Sequence, residues 1–260
     1  MSTELGRIVG LHGRALRRSP EVFCKMGLMQ TSVPKRATID AGKAGRVSAL
    51  LNAPGNASAC YVFAHGAGAG MSHKFMEAAA AGFAERGIAT LRYQFAYMEK
   101  GGKRPDPPAL AHAVVRAAVA YAGEHLAGLP LIAGGKSFGG RMTSQAQAAE
   151  PLPGVRSLAF FGFPLHAAGK PSADRGEHLK QIDIPMLFLQ GDNDKLAELS
   201  LLKPLVKSLG KRATLCLLPD ADHSFHVPAR SGRNDADTLA TALDAFAAWC
   251  QPISASRTRA

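Results

Sequence analysis

A serine set among glycines is the feature of this chain best suited to chemistry: Gly135-Lys136-Ser137-Phe138-Gly139, with Gly134 and Gly140 on either side. It follows the apolar run Leu129–Ala133 and precedes a helical pattern over Phe138–Ala149. A G-x-S-x-G motif in a strand–turn–helix setting places its serine on a strained turn, with the hydroxyl aimed off the sheet edge as a nucleophile. Side chains two residues before and after that serine would collide, and Gly135 and Gly139 meet the need. The plainer alternative is a glycine-rich turn without chemistry. Two nucleotide readings fail on spacing. A P-loop would need glycine at position 130, which is Pro130. A dinucleotide fingerprint starting at Gly66 would need glycine at 71, which is Met71, and the strand that follows ends in Arg92-Tyr93 rather than in an acid.

A nucleophilic serine needs a base, and the base needs a carboxylate to set its tautomer. His223 follows the apolar run Thr214–Leu218, in the segment Pro219-Asp220-Ala221-Asp222-His223-Ser224-Phe225-His226. Loops after the carboxyl ends of strands are where an open α/β sheet gathers its site, which favours His223, with His226 as its rival. The run Met186–Gln190 ends in Gly191-Asp192-Asn193-Asp194. Asp194 is the expected partner, because Asp192 is placed for an Asx turn that would only shape the loop. A metal held by Asp192, Asp194, His223 and His226 has no supporting H-x-x-x-H or H-E-x-x-H spacing. No metal or cofactor is expected. The developing oxyanion would be held by the main-chain N–H of Phe138 and one from His65-Gly66-Ala67-Gly68-Ala69-Gly70-Met71, for which Ala67 is the choice. His65 reads as a loop-shaping hydrogen-bonding group.

The elements that must position these residues alternate. Short apolar runs at Val47–Leu51, Cys60–Ala64, Ala89–Tyr93, Leu129–Ala133, Ser157–Phe161, Met186–Gln190 and Thr214–Leu218 are separated by helical patterns. Those helices are expected at Lys74–Glu85, Pro108–His125, Phe138–Ala149, Leu196–Leu209 and Asp235–Cys250. This is the pattern of a doubly wound, mostly parallel sheet covered on both faces. One domain over 41–250 is expected, between a poorly ordered basic segment, 1–40, and a flexible tail, 251–260. Only some two dozen residues separate Phe161 from Pro185, too few for a lid domain.

Composition narrows the classes. With 47% hydrophobic and 20% charged residues the chain can build a large core. The net charge of +11 is concentrated at the ends: residues 1–46 carry nine Lys/Arg against Glu4, Glu21 and Asp40. No aromatic-interleaved basic stripe accompanies it, so nucleic-acid binding is not expected. The charge-free stretch Val47–His73 is broken by Asn52, Pro54, Gly55 and Asn56 and is no membrane span. Four cysteines without C-x-x-C spacing suit a reducing, cytoplasmic setting. The oligomeric state is left open.

Several segments together resemble the α/β-hydrolase family of small bacterial dienelactone-hydrolase-like proteins, which also includes a eukaryotic NSL chromatin-complex subunit. They are His65-Gly66-Ala67-Gly68, Arg92 through Met98, Gly134 through Arg141, Phe163-Pro164-Leu165-His166, Gln190 through Asp194, and Asp222-His223-Ser224-Phe225. The resemblance covers roughly 47–250 and implies an α/β-hydrolase fold without a lid. It also implies a Ser137–Asp194–His223 triad cleaving a small ester or thioester, while the chromatin relative suggests a binding module as the alternative. The order nucleophile, acid, base is that of the α/β-hydrolases. Met71, Tyr93, Phe95, Tyr97 and Phe163 are the candidate pocket side chains. Arg141, in the first turn of its helix where the dipole disfavours a cation, calls for an acidic partner or an anionic group on the substrate.

Overall fold

The computed structural model describes residues 33–255. Most of the segment expected to be poorly ordered, with Glu4, His12, Glu21 and Cys24, lies outside the described residues, as do the last five. The strands are β1 (Lys35–Asp40), β2 (Arg46–Asn52), β3 (Ala59–Ala64), β4 (Ile88–Tyr93), β5 (Leu131–Lys136), β6 (Val155–Phe161), β7 (Met186–Gly191) and β8 (Ala213–Leu218). The helices are α1 (Lys74–Glu85), α2 (Ala96–Glu99), α3 (Pro108–His125), α4 (Phe138–Ala149), α5 (Leu199–Ser208) and α6 (Asp235–Ala255). The strands form one sheet in the order β1-β2-β4-β3-β5-β6-β7-β8. The two pairings of β2 are antiparallel, and all the others are parallel.

Burial on both faces explains the near-continuous apolar runs, since every residue of β3, β4 and β7 is buried. Alternation then splits the core into two layers. Val62, Leu91, Ala133, Phe160 and Phe188 join α3 and α4 on one face, through Val114, Val115 and Met142. Tyr61, Phe63, Ile132, Phe161 and Leu189 join α1 and α6 on the other, through Met76, Phe83, Leu243 and Phe246. Rings dominate this second layer: Phe246 lies 4.7 Å from Phe83 and 4.9 Å from Tyr61 between centroids. Each fully buried ring of this kind stabilises the fold by about 1.5–3 kcal/mol. The layer continues through Phe161 to Phe225, 6.0 Å away, and so reaches the carboxyl edge of the sheet.

The order reverses at β3, which lies between β4 and β5. Such a switch point opens a crevice beyond the carboxyl ends of the strands. The loops after β3, β5, β7 and β8 carry the expected site residues to that one edge. Between β6 and β7 the chain forms only a 3-10 helix, Asp174–Gln181, so there is no separate lid.

The boundaries differ from expectation in three places. The domain begins before residue 41, because Lys35–Asp40 pairs along its length with Arg46–Asn52. Only Ile39 is buried in that strand, and charged, exposed residues on an edge strand give no apolar run to read. At the other end α6 continues past Cys250 to Ala255. The strand expected at Leu129–Ala133 instead spans Leu131–Lys136, so two glycines that look like turn residues are the end of β5.

Candidate active site

Ser137 stands between β5 and α4 with φ 49° and ψ −114°, a conformation that L side chains rarely adopt. The surrounding glycines are dictated by the main chain of β3. A Cβ on Gly135 would lie 2.4 Å from the Ala64 carbonyl oxygen, and one on Gly139 would lie 2.6 Å from the His65 carbonyl oxygen. Backbone packs directly on backbone here, which fixes the turn. The Ser137 N–H donates to the Phe161 carbonyl at 3.1 Å and ties the turn to β6.

Three loops then bring side chains together. The Ser137 hydroxyl lies 2.7 Å from His223 Nε2, and His223 Nδ1 lies 2.7 Å from Asp194 Oδ2. A carboxylate only accepts, so Nδ1–H donates to Asp194 and leaves Nε2 to take the serine proton. Asp194 is 2% exposed, and its other oxygen accepts from the Leu196 N–H at 2.8 Å. The i+2 turn bond expected of Asp192 is therefore made by Asp194, and Asp192 is exposed. Gln190 is a support that the sequence did not announce: its amide donates to Asp194 Oδ2, and its carbonyl oxygen accepts from the Phe163 N–H at 2.8 Å. His226 lies outside this constellation. It is exposed and pairs with Asp235 at 3.0 Å, at the start of α6.

The His223 loop is held by side chains. Asp222 Oδ1 accepts from the N–H groups of Ser224 at 2.7 Å and His226 at 3.0 Å. Phe225, at φ 70°, buries its ring 5.7 Å from Phe75. Lys136, the variable residue of the motif, reaches under the loop and donates from its ammonium to the His223 carbonyl. The same ammonium lies over the rings of Phe75 at 5.7 Å and Phe225 at 5.0 Å. Burial lowers the Lys136 pKa to about 8, with the charges of Asp194 and Asp222 opposing the shift.

The loop after β3 is braced from four sides. His65 Nδ1–H donates to the Gly66 carbonyl at 2.7 Å, and its Nε2 accepts from the Phe95 N–H at 3.1 Å. Burial lowers its pKa to about 4, so His65 is a neutral strut and cannot accept a proton near neutrality. The Gly68 N–H donates to the Tyr97 hydroxyl at 2.9 Å, the Met71 N–H to Gln94 Oε1 at 2.8 Å, and the Arg92 guanidinium to the Met71 carbonyl at 3.1 Å. Among the described residues no acceptor is recorded for the N–H groups of Ala67 and Phe138, the two expected to meet an oxyanion.

The candidate pocket side chains divide. Tyr93, Phe95 and Phe163 have no exposed surface and serve as packing. Phe95 stands edge-on to His65 at 5.0 Å and to Phe138 at 5.2 Å, while Phe163 packs on Phe160 at 5.1 Å. Their aromatic character is spent on holding the loops. Met71 and Tyr97 keep a small exposed fraction, 9% and 5%, as does Phe138 with 8%. Arg141 has no acidic partner among the described residues, and its guanidinium carbon lies 5.9 Å from the Phe138 ring centre.

A mostly parallel sheet, a strained serine elbow and the absence of a separate lid define an α/β-hydrolase fold. The chain belongs to the alpha/beta hydrolase domain family, whose model matches residues 57–251. Among solved structures it is similar to a lidless α/β serine hydrolase from Xanthomonas campestris, with 20% identity, 84% of this chain and 95% of that one covered, and a TM-score of 0.66. A dienelactone hydrolase from Anabaena variabilis has 19% identity, coverage of 84% and 97%, and a TM-score of 0.68. The esterase domain of a Rhodothermus marinus protein has 16% identity, coverage of 84% and 98%, and a TM-score of 0.64. At these identities the likeness is one of fold. No curated protein matches the sequence. Among the described residues no helix is long and apolar enough to cross a membrane.

Proposed function

We propose that the protein is a serine hydrolase that cleaves small esters, thioesters included, through an acyl-enzyme on Ser137. The observation that carries this reading is the chain of two 2.7 Å contacts, Ser137 Oγ to His223 Nε2 and His223 Nδ1 to Asp194 Oδ2. Ser137 Oγ attacks the ester carbonyl carbon while His223 Nε2 takes its proton, and Asp194 stabilises the imidazolium that forms. The Ala67 and Phe138 N–H groups receive the oxyanion, each such donor being typically worth about 2.7–4 kcal/mol of transition-state stabilisation. As the carbon–oxygen bond to the alcohol breaks, His223 returns the proton to the leaving oxygen. Water then attacks the acyl-enzyme, gives one proton to His223 and releases the acid, and Ser137 regains its proton. The esterase and serine hydrolase named among the structural neighbours support the same chemistry. The thiols of Cys60 and Cys216 suit a reducing cytoplasm.

A fluorophosphonate probe tests the assignment, because the groups that stabilise ester cleavage also stabilise phosphonylation. Stoichiometric labelling of the native protein is expected, lost in Ser137→Ala and cut by orders of magnitude in His223→Ala. A folded native protein that stays unlabelled would sink the hydrolase reading in favour of a binding module. A lidless site should also favour short acyl chains, since a long chain left in water forgoes about 0.8 kcal/mol for each unburied CH₂. On 4-nitrophenyl esters kcat/KM is expected to be higher for butyrate than for palmitate. The reverse order would refute the open pocket.

A further inference from the structure

One turn into α4 from Ser137, two arginines and two imidazoles gather without an acid. Arg141 shares a helix face with Ser137 and Phe138, and helical side chains lean toward the amino end. Its guanidinium accordingly lies against the Phe138 ring, beside the amide proposed to hold the oxyanion. Arg175 and His178 on the 3-10 helix Asp174–Gln181 and His112 on α3 are near enough to interact electrostatically with it, and both elements pack on α4. The Ser144 hydroxyl bridges the Arg141 carbonyl at 2.9 Å and His178 Nε2 at 2.8 Å, fastening that 3-10 helix to the cluster. Of the acids on that 3-10 helix, Asp174 is exposed, and Glu177 is bonded to Lys180 at 2.6 Å.

Two partly exposed arginines elsewhere on the molecule face acids. Arg86 meets Asp244 at 2.8 Å, and Arg116 meets Glu150 at 3.3 Å. In the cluster the buried Arg141 Nε has no partner, while His112 and the Gln145 side chain bond to each other. Buried polar groups are paired in the great majority of proteins, so an orphaned guanidinium nitrogen with a second arginine beside it and no acid points to a missing anionic partner. Burial and the neighbouring cations hold the His178 pKa at about 4 and lower that of His112. The imidazoles are therefore neutral at neutral pH, and the guanidinium groups supply the charge. Planar guanidinium forks match the oxygens of a carboxylate or a phosphate.

We infer that Arg141 and Arg175 form an oxyanion-binding subsite beside Ser137, so that the substrate is an ester carrying a carboxylate or phosphate group. This rests on the hydrolase reading and names the substrate class for it. The subsite takes the free anion of a substrate whose scissile carbonyl sits at Ser137.

The test compares 4-nitrophenyl butyrate with mono-4-nitrophenyl glutarate, which adds a terminal carboxylate. The wild-type protein is expected to prefer the glutarate in kcat/KM by about tenfold, the value of one good charged contact. Arg141→Gln and Arg175→Gln should each lower that preference to near unity, with Arg141→Lys retaining part of it. A second arm needs no turnover: glutarate or inorganic phosphate should raise the Tm of the native protein and not that of Arg141→Gln. A larger shift with one of the two anions tells which group the subsite takes. A butyrate-active wild type that shows neither a glutarate preference nor an anion-dependent Tm overturns the inference alone. A protein that is inert to esters and fluorophosphonate yet stabilised by the anion through Arg141 keeps the subsite and overturns the hydrolase reading. If Arg141→Gln does not fold, Arg175→Gln and Arg141→Lys decide, an unchanged preference in both counting against the subsite.

Discussion

The elbow that carries Ser137 and the loop that carries His223 meet at two hydrogen bonds, one to the His223 ring and one to its carbonyl, but are built on opposite plans. The elbow is backbone against backbone: Gly135 and Gly139 lie so close to the carbonyls of Ala64 and His65 that no Cβ fits. The histidine loop is hung on side chains, namely the Asp222 carboxylate, the Phe225 ring and the ammonium of Lys136. Where main chains touch, only glycine is allowed and a sequence pattern results. Where side chains do the holding, many residue types could serve and no pattern results.

The largest effect is expected where the histidine loop meets its carboxylate. Asp194→Asn should lower kcat by up to about 10⁴-fold, because an amide in that place favours the wrong imidazole tautomer. Steady-state turnover of 4-nitrophenyl butyrate checks it, and a loss under tenfold would remove Asp194 from the mechanism. Next comes a blow to the elbow. Gly135→Ala drives a methyl into the Ala64 carbonyl, and overpacking of this kind costs about 1–3 kcal/mol or more. A Tm lowered by several degrees, together with severe loss of fluorophosphonate labelling, is expected. An alanine variant with native labelling would show that the elbow is not as tight as described.

Lys136→Met strikes the loop through the elbow's own side chain. It keeps an apolar stem between the two rings and removes a charge-assisted bond, a kind typically worth about 1.5–3 kcal/mol. A fall in kcat of roughly tenfold or more is expected, with KM less affected. The variant also has a pH signature. Burial lowers the Lys136 pKa from 10.5 to about 8. Between those values the folded chain binds fewer protons than the unfolded chain, so this residue makes stability rise with pH across that window. Denaturant melts at pH 7, 8.5 and 10 should show the wild type gaining on Lys136→Met as pH rises, and a constant gap would count against a buried ammonium. The smallest effect is expected from His226→Ala, because His226 is exposed and bonded to Asp235. Turnover should stay within about twofold, the scale of a neutral surface substitution. Abolition there would transfer the role of base from His223 to His226.

Much of the frame was legible because its causes are local. Strands covered on both faces must be apolar throughout, so β3, β4, β6 and β7 stood out as runs, and Pro108 and Asp235 marked helix starts at their observed places. The glycines around Ser137 were legible for the same reason, since the strain of that turn is set by the residues within it. By contrast β1 was hidden, because an exposed edge strand such as Lys35–Asp40 needs partners rather than apolar residues.

The sequence by itself thus determined the sheet apart from β1, the absence of a lid between β6 and β7, and the serine turn, all of which follow from periodicity, length and the size of glycine. The tertiary structure alone decided that Gln190 braces Asp194, that Lys136 supports the His223 loop, and that Phe95 and Phe163 pack rather than line a pocket. It also decided that Arg141 stands near Arg175 instead of facing an acid. The reason is that these side chains are placed by partners distant in the chain, 87 positions from Lys136 to His223 and 27 from Phe163 to Gln190. Such meetings are set by the joint packing of distant loops, which no local spacing encodes.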